Sequence, residues 1–147
     1  MVAALILGAC SFSGPKVTFN LPNTNGTQFN SEVDAKKQPV LLFVMGTHCG
    51  YCRASIPTVN ELNAVYGPQG LKVVAILADR QAEPLIEYAK ENKIAFDVLY
   101  NGGELMNVLK VQGVPNFFLL NRNHEIVRVW QGMTPADGFA EHIRKVL

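Results

Sequence analysis

The sequence predicts an α/β fold in which helices flank a central mixed sheet. Two uninterrupted apolar runs, residues 40–45 and 71–77, are typical of strands that are buried on both faces of a sheet. Each run is followed by a helical pattern, and strands that alternate with helices favour a mainly parallel sheet. A hairpin pattern near the C-terminus predicts an antiparallel edge, so the sheet is expected to be mixed.

Length and composition indicate a single globular domain. The chain has 147 residues, of which 48% are apolar and 17% charged, and this excludes a disordered or fibrous protein. The formal net charge is +1 and the Lys and Arg residues are scattered along the sequence, so we expect no nucleic-acid partner. Three cysteines are too few for a small protein held together by a disulfide framework.

The N-terminal residues predict an exported protein. The apolar run MVAALILGA precedes Cys10 and is about half of the roughly 20 residues that a spanning helix needs. It fits the end of a secretory signal without its charged start, and residues 7–10 resemble the lipobox of bacterial lipoproteins, whose cysteine is acylated. The alternative is an ordinary cysteine in an apolar stretch. We interpret residues 1–16 as a residual signal and tether, Cys10 as a lipidation candidate, and residues 17–147 as the domain.

The remaining strands and helices are predicted from local patterns. Residues 17–21 alternate as a first strand before turn-forming residues 23–27, which indicates an N-terminal hairpin extension. The other predicted elements are helices near residues 82–92 and 104–110, a strand around residues 96–100, and a hairpin of residues 117–120 and 126–130.

Two helices are predicted in more detail. One runs from Cys49 to Tyr66, ends at a Gly-Pro pair, and is expected to bury a stripe of residues spaced by three: Ile56, Val59, Leu62 and Val65. The last helix is expected to have Pro135 at its first position, with Thr134 as its cap.

Cys49 and Cys52 carry the predicted chemistry. The strand of residues 40–45 leads to Cys49 at the start of a helix, where unpaired N–H groups and a positive partial charge favour thiolate over thiol. Cys52 follows three residues later on the same helix face, so a disulfide between the two is feasible. Cys49 would attack a client disulfide, and the shielded Cys52 would then release the client.

A zinc site is the main alternative for the CxxC motif. It would need two more ligands near Cys49, and the available residues are Cys10, His48, His124 and His142, with no second pair at ligand spacing. We therefore favour redox chemistry over metal binding and expect no metal and no cofactor beyond the redox-active disulfide.

The motifs around these cysteines resemble the thioredoxin superfamily and, within it, the TlpA/ResA-like secreted thiol-disulfide oxidoreductases. The resemblance covers residues 17–147 and includes CGYC, the proline at position 57, and the segment VQGVPNFFLLNRNHEIV. It implies a thioredoxin-like fold, and residues 82–100 fit the longer helix–strand insertion of the TlpA-like branch. It also implies a cis-proline at Pro115, which would leave the backbone of Val114 free to pair with a client strand beside Cys49.

The chain departs from the family pattern at three positions. His48 replaces the tryptophan that commonly precedes the first cysteine, and we predict that it tunes the thiolate. Phe43 occupies the position of the buried aspartate of thioredoxins, and Ser55 that of a glutamate of ResA-like members. No matched carboxylate therefore remains to take the proton from Cys52.

The dipeptide between the cysteines, Gly50-Tyr51, resembles that of DsbC-type isomerases. It influences the redox potential, and Tyr51 either contacts clients or covers apolar surface.

The resemblance implies a thiol-disulfide oxidoreductase, most simply a reductase in the bacterial cell envelope. Its expected partners are client proteins with disulfides or thiols and an upstream membrane electron donor, with possible anchoring through lipidated Cys10. The protein would be exported, and either periplasmic or anchored to the membrane facing the periplasm or the cell exterior. The alternatives are an oxidase or isomerase and a non-catalytic metal-binding module. A peroxidase is disfavoured because residues 45–49 do not match the Pro-x-x-x-Thr-x-x-Cys pattern.

Overall fold

The computed structural model describes residues 13–147. Cys10 and the lipobox-like segment lie outside the described residues. Within the described part of the chain, no helix combines the length and the apolar character that crossing a bilayer requires.

A five-stranded mixed sheet forms the centre of the molecule, as the apolar runs predicted. Its strands, in chain order, are β3 (Val40–Val44), β4 (Lys72–Ile76), β5 (Asp97–Leu99), β6 (Asn116–Leu120) and β7 (Ile126–Gln131). Their spatial order is β5-β4-β3-β6-β7. β3, β4 and β5 are parallel, whereas β6 runs antiparallel to β3 and pairs with β7 as the expected hairpin. The predicted α/β fold class is confirmed.

Two hydrophobic layers cover the faces of the sheet. Alternate residues of β3 point to opposite sides, so Leu41 and Phe43 join one core cluster and Leu42 and Val44 join the other. The sheet is flanked by the helices α2 (Gly50–Tyr66), α3 (Glu83–Glu91), α4 (Gly103–Val108) and α5 (Ala136–Val146). Burial on both faces explains why β3 is an uninterrupted apolar run.

The N-terminal hairpin extension is present, although its first strand is displaced from the prediction. β1 (Asn20–Pro22) pairs antiparallel with β2 (Gln28–Asn30), and a four-residue helix, α1 (Ser31–Asp34), follows. The hairpin covers the outer edge of β5, because Thr24 N–H donates to Val98 O and Tyr100 N–H donates to Pro22 O, each at 3.0 Å. This contact hides an edge that would otherwise be open to other chains.

The predicted buried stripe of α2 is wrong at its last member. Val65 is 48% exposed, and Tyr66, which is only 8% exposed, is buried in its place. A residue turns the helix by about 100°, so a step of three falls short of a full circle by about 60°. After three such steps Val65 lies on the side opposite Ile56, whereas Tyr66, four residues after Leu62, returns to the core.

The start of α5 also differs from the prediction. Pro135 is the cap residue, with extended backbone, and the helix begins at Ala136. Thr134 does not cap the helix, because its hydroxyl donates to Gly132 O at 3.3 Å instead. Pro135 still suits this position, because its fixed φ leads into the first turn and its missing N–H is not needed there.

Candidate functional site

The two cysteines lie where the central strand of the sheet meets helix α2. β3 ends at Val44, and a short loop leads to Cys49, which is the N-cap of α2. The backbone N–H of Cys52 donates to Cys49 Sγ at 3.1 Å. The sulfur therefore receives one of the helix N–H groups that have no partner within the helix, and this favours a thiolate in the reduced protein.

Cys49 and Cys52 form a disulfide in this structure, with their Cα atoms 5.2 Å apart. Cys52 is completely buried, whereas Cys49 is half-buried at the surface. The arrangement leaves one sulfur accessible to another molecule and shields the other.

The loop before β6 lies against Cys49. The Val114–Pro115 peptide bond is cis, as the family resemblance implied. The carbonyl oxygen of Val114 is 3.7 Å from Cys49 Sγ, although the two residues are 65 positions apart in sequence. In the disulfide Cys49 has no S–H group, so this approach is a contact, and only the reduced thiol can donate there. Val114 is 39% exposed and therefore accessible beside the sulfur.

Two contacts that sequence analysis missed hold this loop in place. Gly132 N–H, just after β7, donates to Pro115 O at 2.9 Å. The buried side chain of Asn116 donates through Nδ2 to Trp130 O at 2.8 Å. The partners lie in β7 or directly after it, more than ten residues away in the chain, so no local pattern in the sequence could have identified them.

The other predicted site residues adjoin the cysteines in the chain and are exposed. His48 and Gly50 are exposed, and the Tyr51 side chain is 71% exposed. Their roles in tuning the thiolate or contacting clients stay predictions.

Phe43 and Ser55 occupy the two positions at which the family pattern has carboxylates, and both are buried. Phe43 is completely buried and stacks on Phe117, with ring centroids 4.8 Å apart. Ser55 is buried, and its hydroxyl donates to Tyr51 O at 2.7 Å. None of the buried residues between 13 and 147 is Asp or Glu.

His124 and His142 each pack against other parts of the fold. His124 is buried in the β6–β7 turn, and His142 packs edge-on against Trp130 at 5.7 Å. Trp130 itself is a core residue. Over residues 13–147 no three His, Cys, Asp or Glu side chains are grouped closely enough to hold a metal ion.

Comparison with known proteins identifies the family. The Redoxin family model matches residues 12–144, which is nearly the whole chain. The chain belongs to the Redoxin family.

Relatives of this Redoxin-family chain carry names from thiol-disulfide chemistry. It is 26% identical over 114 residues to the thiol-disulfide oxidoreductase ResA of Bacillus thuringiensis subsp. konkukian, covering 77% of this chain and 66% of ResA. It is 32% identical over 111 residues to the thiol:disulfide interchange protein DsbE of Escherichia coli K12, and this match covers 74% of this chain and 58% of DsbE. The matches thus span about two thirds or less of these relatives.

A solved structure supports the same relationship. The crystal structure of a Chlorobium tepidum protein assigned as a thiol:disulfide interchange protein DsbE matches with a TM-score of 0.79 and 28% identity. The match covers 91% of this chain and 96% of that protein. The resemblance of this Redoxin-family chain to TlpA/ResA-like thiol-disulfide oxidoreductases is confirmed.

Proposed function

We propose that this protein is a thiol-disulfide oxidoreductase that exchanges the Cys49–Cys52 pair with client proteins. One observation carries the proposal: a disulfide at the N-terminus of α2 whose first sulfur is accessible and whose second is buried. A structural role for this bond is a poor explanation, because it joins residues only three apart. The names of the ResA and DsbE relatives support the same activity.

In the reducing direction, the Cys49 thiolate attacks one sulfur of a client disulfide. The client S–S bond breaks, its second sulfur leaves as a thiolate, and a mixed disulfide forms between Cys49 and the client. The Cys52 thiolate then attacks Cys49 Sγ and displaces the client's first sulfur. Two electrons have passed to the client, whose thiolates take up protons, and the Cys49–Cys52 disulfide remains. The reaction needs no cofactor besides this pair.

The loop containing Val114 is the proposed docking point for the client backbone. Its carbonyl oxygen is 3.7 Å from Cys49 Sγ, and Val114 is partly exposed. A client segment that pairs with this backbone as an added strand would hold its own disulfide in line with the attacking sulfur. Tyr51, two residues after Cys49 in the chain, is exposed and offers apolar area to a client.

The variants that test the reaction are Cys49→Ser and Cys52→Ser, with Cys10→Ser as the matched control. We expect Cys49→Ser to abolish the multiple-turnover reduction of a disulfide-bonded protein, because the attacking sulfur is lost. Cys52→Ser should accumulate mixed disulfides, visible by non-reducing electrophoresis and mass spectrometry. Cys10→Ser should retain activity. Full dithiol turnover by Cys52→Ser would show that the assigned roles are wrong.

We propose that the reaction runs as a reduction in the bacterial cell envelope. The proposed setting is an exported protein anchored through lipidated Cys10 and recharged by a membrane electron donor. A reduction potential near that of thioredoxin, about −270 mV, would support a reductase, and one near that of DsbA, about −120 mV, would support an oxidase. Mass spectrometry of membrane-fraction protein tests the anchor, and an unmodified, uncleaved N-terminus there would exclude it.

A metal-binding module is tested by the same variants. Stoichiometric metal uptake that Cys49→Ser abolishes, together with no disulfide exchange by the wild-type protein, would favour that function over the one proposed.

A further inference from the structure

A concave surface at one end of the molecule gathers basic residues from three separate segments. It encloses about 510 Å³. Its charged residues are Lys16, Lys36, Lys37 and Arg122, with the carboxylates of Glu32 and Glu125 among them. We call this set the basic surface. Arg122 Nη1 donates to Lys37 O at 3.1 Å, which joins two of the three segments.

The charge of the basic surface exceeds that of the whole protein. Four cations and two carboxylates give it a net charge of +2, whereas the chain carries +1. The Glu125 carboxylate accepts hydrogen bonds from Ser13 Oγ at 2.9 Å and from Asn121 Nδ2 at 3.2 Å, and these bonds lower the pKa of Glu125. Glu125 is therefore charged at neutral pH, and the count of +2 includes it. All remaining residues sum to −1, so the positive charge is concentrated here.

The basic surface lies at the end of the sheet opposite the cysteines. In the β3–β6 pair, Val40 faces Leu120 at one end and Val44 faces Asn116 at the other. Cys49 follows the Val44 end of β3 in the chain. The segment that leads into β3 and the turn after β6 both lie at the first end, and they carry the basic surface. Five-residue strands put about 13 Å of sheet between the two ends, before the loops are added.

The N-terminal part of the described chain is fastened to this same end. Gly14 N–H donates to Ile126 O at 2.7 Å, and Ile126 N–H donates to Pro15 O at 3.1 Å. Val17 N–H donates to His124 O at 2.8 Å. Cys10 precedes Lys16 by six residues, and a chain of that length reaches at most about 20 Å.

We propose that the basic surface binds the anionic phospholipid headgroups of a membrane and turns the Cys49 end away from the bilayer. The proposal rests on the proposed anchoring for its setting, because a lipidated Cys10 would hold this surface within about 20 Å of the headgroups. Lys and Arg near an anionic membrane each contribute measurable binding, which weakens as salt increases. An acidic client is a poorer occupant, because a protein bound here would be far from Cys49.

The test measures co-sedimentation of the full chain carrying Cys10→Ser, so that no acyl chain contributes to binding. Vesicles of phosphatidylglycerol mixed with phosphatidylcholine are compared with pure phosphatidylcholine, at low and high ionic strength. The triple variant Lys16→Gln, Lys36→Gln, Lys37→Gln removes three cations from the surface. The control Lys90→Gln, Lys93→Gln, Lys110→Gln removes three exposed cations elsewhere, so both variants have the same net charge.

We expect binding only to the anionic vesicles, and weaker binding at high salt. The surface variant should lose on the order of 100-fold in affinity, from about fivefold per cation, whereas the control should lose far less. Equal losses in both variants, or equal binding to both kinds of vesicle, would overturn the proposal. So would binding of soluble polyglutamate without binding of vesicles, which would point to an acidic protein.

A separate assay distinguishes this proposal from the proposed catalysis. Both triple variants should reduce a disulfide-bonded protein in solution at the wild-type rate, because the substituted lysines are exposed and none of them is one of the proposed site residues. Normal exchange without vesicle binding would refute the membrane contact alone. Vesicle binding without exchange would refute the catalytic assignment alone.

Discussion

At the scale of single residues, Phe43 shows how the sequence around the cysteines has diverged from related proteins. Its ring stacks on Phe117 with an interplanar angle of 9° and meets Phe96 edge-on at 6.2 Å. Thioredoxins, which this chain resembles, have a buried aspartate at the matching position. The site of this protein is therefore built on apolar packing where those proteins keep a proton acceptor.

The Phe43 position gives a stability prediction. We expect Phe43→Ala to lower the free energy of unfolding by about 3–5 kcal/mol, because it empties a fully buried aromatic site. Phe43→Leu should cost less, since it keeps most of the apolar volume. Phe43→Asp should cost more than alanine at neutral pH, because its carboxylate would be buried without a partner. Urea unfolding measures all three, and a Phe43→Asp variant as stable as wild type would contradict this account of the core.

Ser55 illustrates the same divergence inside α2. Its hydroxyl is satisfied within the helix by Tyr51 O, so the buried serine is not left with an unmet hydrogen bond. Ser55 thus makes a hydrogen bond within α2 and supplies no carboxylate to Cys52. Transfer of the Cys52 proton must therefore use no buried carboxylate among residues 13–147.

At the scale of elements, α4 is packed closely against the end of β4. A Cβ atom at Gly102 would lie 2.5 Å from Ile76 Cγ2 and 3.0 Å from Leu77 O. Gly102 N–H also donates to Leu77 O at 2.8 Å. The absence of a side chain at Gly102 is what lets the start of this helix approach the strand so closely.

Two adjacent glycines allow a matched test of this packing. We expect Gly102→Ala to destabilise the protein by about 1–3 kcal/mol, because the strand end must shift to admit the methyl group. Gly103→Ala should be neutral or slightly stabilising, since a Cβ there meets nothing within 4 Å and alanine favours the helix. Thermal or urea unfolding compares them, and equal losses would show that the close approach is unimportant.

At the scale of the whole molecule, His124 connects the N-terminal and C-terminal parts of the fold. Its ring is buried, and Nε2 lies 2.9 Å from Ala35 O and 3.2 Å from Gln38 O. Because both partners are carbonyl oxygens, Nε2 carries the hydrogen and donates to them. His124 lies in the turn between β6 and β7, and its ring ties that turn to the segment before β3.

This contact gives a third stability prediction. We expect His124→Ala to cost about 1–3 kcal/mol, because the Gln38 carbonyl loses the imidazole donor and the buried Ala35 carbonyl keeps only the Gln38 N–H. His124→Gln should recover part of the loss, since its amide can donate and both variants share the left-handed backbone at this position. His48→Ala is the exposed control and should leave stability unchanged. Equal unfolding free energies for His124→Ala and the control would refute the connecting role.

The sequence by itself determined the strands of the central sheet and the place of the cysteines. Apolar runs and helical patterns are local signals, and only a four-residue loop separates the end of β3 from Cys49 at the start of α2. The predictions that Val65 is buried and that Pro135 is the first residue of α5 were wrong for local reasons. Residue spacing alone gives neither the exact turn of a helix nor the geometry of its cap.

Only the tertiary structure decided which distant residues meet. The register of β6 against β3 brings Val114 to Cys49, and Asn116 and Gly132 then hold that loop. The same register gathers cations that are scattered in the sequence into the basic surface at the other end of the sheet. The physical reason is that strand pairing joins residues far apart in the chain, and a pattern confined to neighbouring residues contains no information about that pairing.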